Sequence, residues 1–513
     1  MNRKLIYILF LFLGFVSCDD YLKDDSGDLL IPKKVSEFIP VLYAEGYPKS
    51  FNTQGGWIEL MTDDVELSPL EQGTPFGDPG FDELNGGEGR QAYKWKADIE
   101  ETLQDLFWSS MYEYILGCNI IIDALPDMEY SENETGQYHA LASQAYALRA
   151  YYYFCLVNTY ALPWSEANLD KLGVIIRTTP QIDVTPRERS SIREVYKLIN
   201  EDLEKALEHG VVGDVSANKH ILTPAAIQLL ATRVALFQED WDKVIELGVP
   251  FMQDNSSIFD LNSVSEDKMG TDDARDFTMF NMAVNNEIIF TFGTNSYKCS
   301  LLSYYPTPFD LGFRVSYKDE GSLIKSYEED DLRLLAYFMQ DYYDPGWPGL
   351  IDEEWKYKWN YPIKYKSGST TTNYHENWRN VEVLLNLAEA YARKSNTVSE
   401  DAIGWLNKLR KNRIRKAVYE DLSVADFQNK EALVKFIWTE RRRELCFEEH
   451  MRFWDLRRQG MPRLVHKLYL DQSVYETYVL EQGSPNYVLA VPRSEMDYNS
   501  VVSSNPRENI VAQ

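Results

Sequence analysis

The stretch from Gln137 to Tyr160 constrains the fold more than any other part of the chain. Leu141, Ala145, Leu148, Tyr152, Cys155, Leu156 and Thr159 recur at spacings of three and four, which is one continuous helical face. Tyr151, Tyr153 and Phe154 widen that face past a single stripe, so the spacing predicts a helix covered on both sides. A helix of that kind needs other helices against it, and the sequence supplies them.

Leu103 to Leu125 precedes it as a first partner. A second pair is expected over Ser191 to His209 and Thr223 to Gln238, where the Thr223 hydroxyl can cap and Pro224 takes the first helical position. Glu239-Asp240-Trp241 reads as a turn into a helix around Val244 to Leu247. A third pair is expected over Trp378 to Lys394 and Ser399 to Arg415, with Val381, Leu385, Ala388 and Ala392 on one face and Ala402, Trp405, Leu406 and Leu409 on the other. Helix pairs repeated along a chain are the plan of tetratricopeptide arrays, here with irregular spacing. Two long stretches, 53–97 and 251–372, lack helical period and are rich in Gly, Pro, acids and aromatics. Long loops in a compact chain are functional or disordered, and disordered segments are poor in aromatics, so both stretches are expected to carry function.

The 513 residues carry a formal net charge of −28. Phosphate binding requires clustered cations, so nucleic acid is excluded as a partner and a neutral ligand is favoured. Of the five cysteines, Cys118, Cys155, Cys299 and Cys446 form no CxxC pair. Cys118, Cys155 and Cys446 sit among apolar helical residues, where a thiol behaves as a small buried hydrophobe.

The N-terminus begins with Arg3 and Lys4, continues with the apolar run Leu5 to Val16, and reaches Cys18 through Ser17. This reads as a signal peptide over residues 1–17. The run is too short for a membrane span, which takes about 20 apolar residues. Its ending resembles the lipobox of bacterial lipoproteins, which implies acylation of Cys18; an ordinary secretory signal is the alternative. Loss of Arg3 and Lys4 takes the charge from −28 to −30. The acidic residues Asp19, Asp20, Asp24 and Asp25 resemble the surface-export signal of Bacteroidetes lipoproteins, and residues 18–35 read as a tether.

Toward the C-terminus, Trp438-Thr439-Glu440-Arg441-Arg442-Arg443-Glu444-Leu445-Cys446-Phe447-Glu448 runs on to Arg452-Phe453-Trp454-Asp455-Leu456-Arg457-Arg458-Gln459-Gly460. This block resembles the signature of the SusD/RagB family, surface glycan-binding lipoproteins of Bacteroidetes. Further blocks follow the same pattern: Asp20-Tyr21-Leu22, the Trp108, Tyr112 and Asn119 helix, Leu148 to Tyr153, Val383 to Ala390 with Leu406 to Arg410, and Val491 to Met496 with Asn505-Pro506. The chain departs from the pattern at Ala161 to Trp164 and at Cys446, where alanine is usual. On helical spacing, Glu440 and Glu444 lie four apart and the arginines fan around three faces. The block therefore reads as internal scaffold, with Phe447, Phe453 and Trp454 in the core.

The resemblance implies a mostly α fold: four tetratricopeptide-like helix pairs, with the scaffold over about 98–250 and 373–460, packed against a loop-rich ligand region in one domain over 18–513. It also implies a SusC-like TonB-dependent transporter as partner, attachment to the outer membrane facing outward, and binding without catalysis. The six histidines are scattered, with no HExxH, GxSxG or P-loop. Sugars pack their C–H faces on aromatic rings and bond through hydroxyls to polar groups. In the loops, Trp57, Trp95, Tyr305, Trp347 and Trp355 are the stacking candidates, and Asp78, Arg90 and Asn360 the polar ones. The oxygen donors Asp341, Asp344, Asp352, Glu353 and Glu354 could hold Ca²⁺, although no EF-hand register is present. Two rival readings stay open at this stage, a surface peptide-binding or assembly protein using the helical array, and a helical glycoside hydrolase.

Overall fold

The computed structural model describes residues 32–49, 56–67, 87–99, 106–181, 185–210, 218–269, 279–282, 284–293, 313–341, 358–362, 364, 376–469 and 475–513. Cys18, Asp78, Cys299, Tyr305, Trp347, Trp355 and the carboxylates Asp344, Asp352, Glu353 and Glu354 lie outside them.

Nine helices build the scaffold among the described residues: α1 (Leu106–Ala124), α2 (Thr135–Tyr160), α3 (Ile192–Gly210), α4 (Pro224–Phe237), α5 (Trp241–Asp254), α6 (Asn380–Lys394), α7 (Glu400–Arg410), α8 (Lys430–Leu445) and α9 (Met451–Arg458). They stack in chain order, α1 on α2, α2 on α3, α4 on α5, α5 on α6, and α6 between α7 and α8. The breadth of apolar and aromatic character in α2 has its expected outcome, since every residue from Ala147 to Tyr160 is buried. Its tyrosines reach partners on several sides, Tyr152 donating to the Gly46 carbonyl and Tyr153 to the Arg177 carbonyl. The Thr223 hydroxyl accepts from the Ala226 N–H at 3.2 Å and Pro224 opens α4. Gly117 shows how close the packing is, because a Cβ there would lie 2.4 Å from the Glu45 carbonyl oxygen. Among the described residues no helix is long and apolar enough to cross a membrane.

The third helix pair is shorter than its pattern. Trp378 belongs to a strand, and α7 stops at Arg410 rather than Arg415. The two stretches without helical period are also more regular than expected. Strands β1 (Val65–Leu67), β2 (Ile288–Phe292), β3 (Phe313–Val315), β4 (Phe338–Asp341), β5 (Lys358–Pro362) and β6 (Glu376–Arg379) pair antiparallel as β1 with β3, β2 with β6 and β4 with β5. Short helices fill Gly56–Met61, Gly87–Tyr93, Leu323–Ser326 and Arg333–Tyr337. A hairpin of β7 (Leu464–Tyr469) and β8 (Tyr475–Leu480) follows the signature block. β7 packs beside β1, and β3 beside β5.

Cys118, Cys155 and Cys446 are buried free thiols. They match the small-hydrophobe reading, and burial raises each thiol pKa.

Candidate functional site

The signature block forms a buried ion-pair cluster. Arg379, at the end of β6, donates to Glu287, Glu444 and Glu448 at 2.9, 2.7 and 2.5 Å. Arg413 reaches Glu287 and Glu444 at 2.7 and 2.9 Å. Arg333 reaches Asp331, Glu440 and Glu444 at 2.6, 2.7 and 3.0 Å. Lys364, just after β5, donates to Glu448 at 2.7 Å and to the Glu444 and Cys446 carbonyls at 2.8 Å. Burial opposes the charge on Glu444, but Arg413, Arg379 and Arg333 hold its carboxyl well below the usual range. Burial likewise opposes Glu440, which Arg333, Arg443 and Arg410 bring down to about 2. Phe447 and Glu449 take φ of +56° and +48°, a costly region for residues with side chains. That turn sends Glu448 to Arg379 and Glu449 to Arg233.

Four members of this cluster lie next to strands. Glu287 precedes β2, Arg333 precedes β4, Lys364 follows β5 and Arg379 ends β6. Arg442 and Arg452 reach the residues before β1: Arg442 binds Asp64 at 2.6 Å and the Gly321 carbonyl at 2.8 Å, and Arg452 grips Asp63 with two bonds of 2.7 Å. The strands in turn bound the segments that carry most of the aromatic candidates. Leu67 pairs with Phe313, Phe292 with Glu376 and Asp341 with Lys358. Residues 68–86, 294–312, 342–357 and 365–375 therefore all leave from or return to fixed, paired strand ends.

Beside β1 and β3 lies a cleft of about 300 Å³. Its walls are Asp63 with Val65–Leu67 and Tyr93, Ser316 with Lys318–Ser322, and Arg463–Lys467. Glu66 pins the second wall by accepting from the Tyr317 and Lys318 N–H groups at 3.0 and 3.1 Å. Lys467 reaches across to Asp319 at 2.8 Å. Gly321 turns at φ +86°, a conformation that suits glycine. Two oxygens of this lining, Glu66 Oε1 and Ser322 Oγ, are buried without a hydrogen-bond partner. Burial raises the Glu66 carboxyl pKa, against the Lys318 and Tyr317 N–H groups.

The sequence candidates divide sharply. Trp95 is fully buried and is corrected from platform to core: its indole N–H donates to the Met61 carbonyl at 2.9 Å, and its ring stacks on His466 at 4.0 Å. Tyr93 covers the other face of His466, also at 4.0 Å. Burial pushes the His466 pKa down to about 4, against the pull of the Tyr93 and Thr62 carbonyls at 2.7 and 3.0 Å. Trp57 is 8% exposed and likewise belongs to the core. Arg90 is half-buried on the helix Gly87–Tyr93. Asn360 lies in β5 and Asp341 in β4, with side chains outside the described set. Sequence reasoning missed Glu66, Ser322, Lys467 and the hairpin residues Val465 and Tyr475, which are 44% and 45% exposed. The alternation Tyr475-Glu476-Thr477-Tyr478-Val479-Leu480 was the available signal for that hairpin.

Two family models match the chain. One, described as "Starch-binding associating with outer membrane", covers residues 84–236, and the SusD family model covers 313–507. The SusD-like protein P2 of Formosa agariphila is 24% identical over 265 residues, which is 51% of this chain and 48% of that protein, so the chain spans about half the length of this curated relative. A SusD-like carbohydrate binding protein from Bacteroides vulgatus has a similar solved structure, with TM-score 0.63, 21% identity, and 92% and 97% of the two chains covered. A SusD superfamily protein from Bacteroides thetaiotaomicron gives TM-score 0.68, 18% identity, and 92% and 100% coverage. These likenesses show the mostly helical SusD-like fold, and with the two family models they establish that the chain belongs to the SusD/RagB family.

Proposed function

We propose that this protein binds oligosaccharide or polysaccharide at the cell surface and delivers it to a SusC-like TonB-dependent transporter in the outer membrane. Acylated Cys18 is its anchor and residues 18–35 its tether. Ligand is held at the cleft, with Trp347, Trp355 and Tyr305 as stacking residues and Asp78, Arg90 and Asn360 as polar partners. The role is capture without bond cleavage, as the family membership supports.

The observation that carries this reading is the cleft beside β1 and β3, next to the paired strand ends Leu67 and Phe313. A concave, partly apolar site with a few placed polar groups is what a sugar requires. The formal net charge of −28 disfavours anionic sugars, so neutral glycans are the expected class. Calorimetric titration of the chain from Asp19 onward against neutral and acidic oligosaccharides tests the proposal. Saturable binding to a neutral glycan supports it, and silence across the glycans with retention of peptides moves the protein to the rival class.

A further inference from the structure

His139 on α2 and His209 on α3 lie on the helical stack, and their Nδ1 atoms approach to 2.9 Å. Rigid packing holds them there. One turn along, Ser143 Oγ donates to the Ala206 carbonyl at 2.6 Å, and farther on Arg149 forks onto Asp202 at 2.7 and 2.8 Å. The Tyr138 and Tyr146 rings flank His209, with centroids 6.2 and 6.1 Å away. Both histidines are half-buried, so the pair stays open to solvent on one side.

Two neutral imidazoles at this distance can share one N–H, or they can offer two lone pairs to an ion. With metal–nitrogen bonds of about 2.0–2.1 Å, nitrogens 2.9 Å apart subtend about 90° at the ion. That is the cis angle of a tetragonal Cu²⁺ or Ni²⁺ centre, whereas tetrahedral zinc needs nitrogens about 3.3 Å apart. We propose that His139 and His209 form a two-imidazole site for a tetragonal divalent ion, Cu²⁺ above Ni²⁺, with water in the remaining positions.

On binding, each ring carries its proton on Nε2, so two neutral imidazoles become two ligands without net proton release. Glu208 adds negative charge beside His209, while Lys205, 5.1 Å over the Tyr146 ring, opposes the cation.

The test is Cu²⁺ titration of the chain from Asp19 onward in the presence of glycine as competitor, followed by electron paramagnetic resonance. One strong equivalent is expected, with hyperfine coupling from two imidazole nitrogens. His139→Asn and His209→Gln should each weaken it at least tenfold while the thermal transition stays in place. Equal affinity in wild type and both variants, or a spectrum with fewer than two imidazole nitrogens, overturns the proposal. If one variant loses its fold, the other and the wild-type spectrum still decide.

Discussion

The ion cluster of the signature block and the cleft beside β1 are both built from charged side chains, but they use them in opposite ways. In the cluster, Arg333, Arg379, Arg413, Glu440 and Glu444 are wholly buried and mutually paired. In the cleft, Lys467 and Asp319 are 31% and 66% exposed. Taking a charge from water is costly and is repaid only by well-placed partners, so a closed network can hold but cannot bind. A site with exposed charged groups at its lining can bind but holds little. The signature block reaches the cleft wall through Arg442, on the Gly321 carbonyl, and Arg452, on Asp63.

The contrast should appear most strongly when a buried partner is removed. Glu444→Ala leaves three arginines without their shared carboxylate, and a loss of about 3–5 kcal/mol is expected in chemical denaturation. Trp95→Ala should cost a similar ~3–5 kcal/mol through the cavity it leaves against His466. A small loss in either variant would break the division drawn here.

Acid sharpens it further. The folded pKa of Glu440, about 2, lies below the ordinary 4.5. The stability it contributes is therefore complete above about pH 4.5 and is lost as pH falls toward 2. Denaturation measured between those values should show a steep acid limb, shallower in Glu440→Gln.

Trp347→Ala should show the reverse pattern, with stability unchanged within about 0.5 kcal/mol and glycan affinity about tenfold weaker, ~1.4 kcal/mol. The smallest effect is expected from Lys467→Ala, which removes an exposed pair worth at most ~1 kcal/mol. If it unfolds the protein, the cleft wall is scaffold after all.

The helices were legible because their information is local: the breadth of α2 and the Thr223-Pro224 start need only neighbouring residues. The strand pairs were not legible. Val65–Leu67 and Phe313–Val315 are three residues each, too short to show a period of two, and the partner of each lies far along the chain. Trp95 misled for a related reason. It follows a short helix at φ +52°, and its side chain turns back onto His466 from the distant hairpin. Nothing near it in sequence separates a tryptophan that faces a ligand from one that closes a core. The role of the arginine-rich block as internal scaffold was legible, but its contacts beside the strands were not.

Amide hydrogen exchange with and without saturating oligosaccharide tests the central claim most directly. The account predicts new protection at 63–86, 294–322, 342–357 and the hairpin 463–480, with α1 to α7 unchanged. Protection along the outer helices of the stack, with none at the cleft, would contradict it.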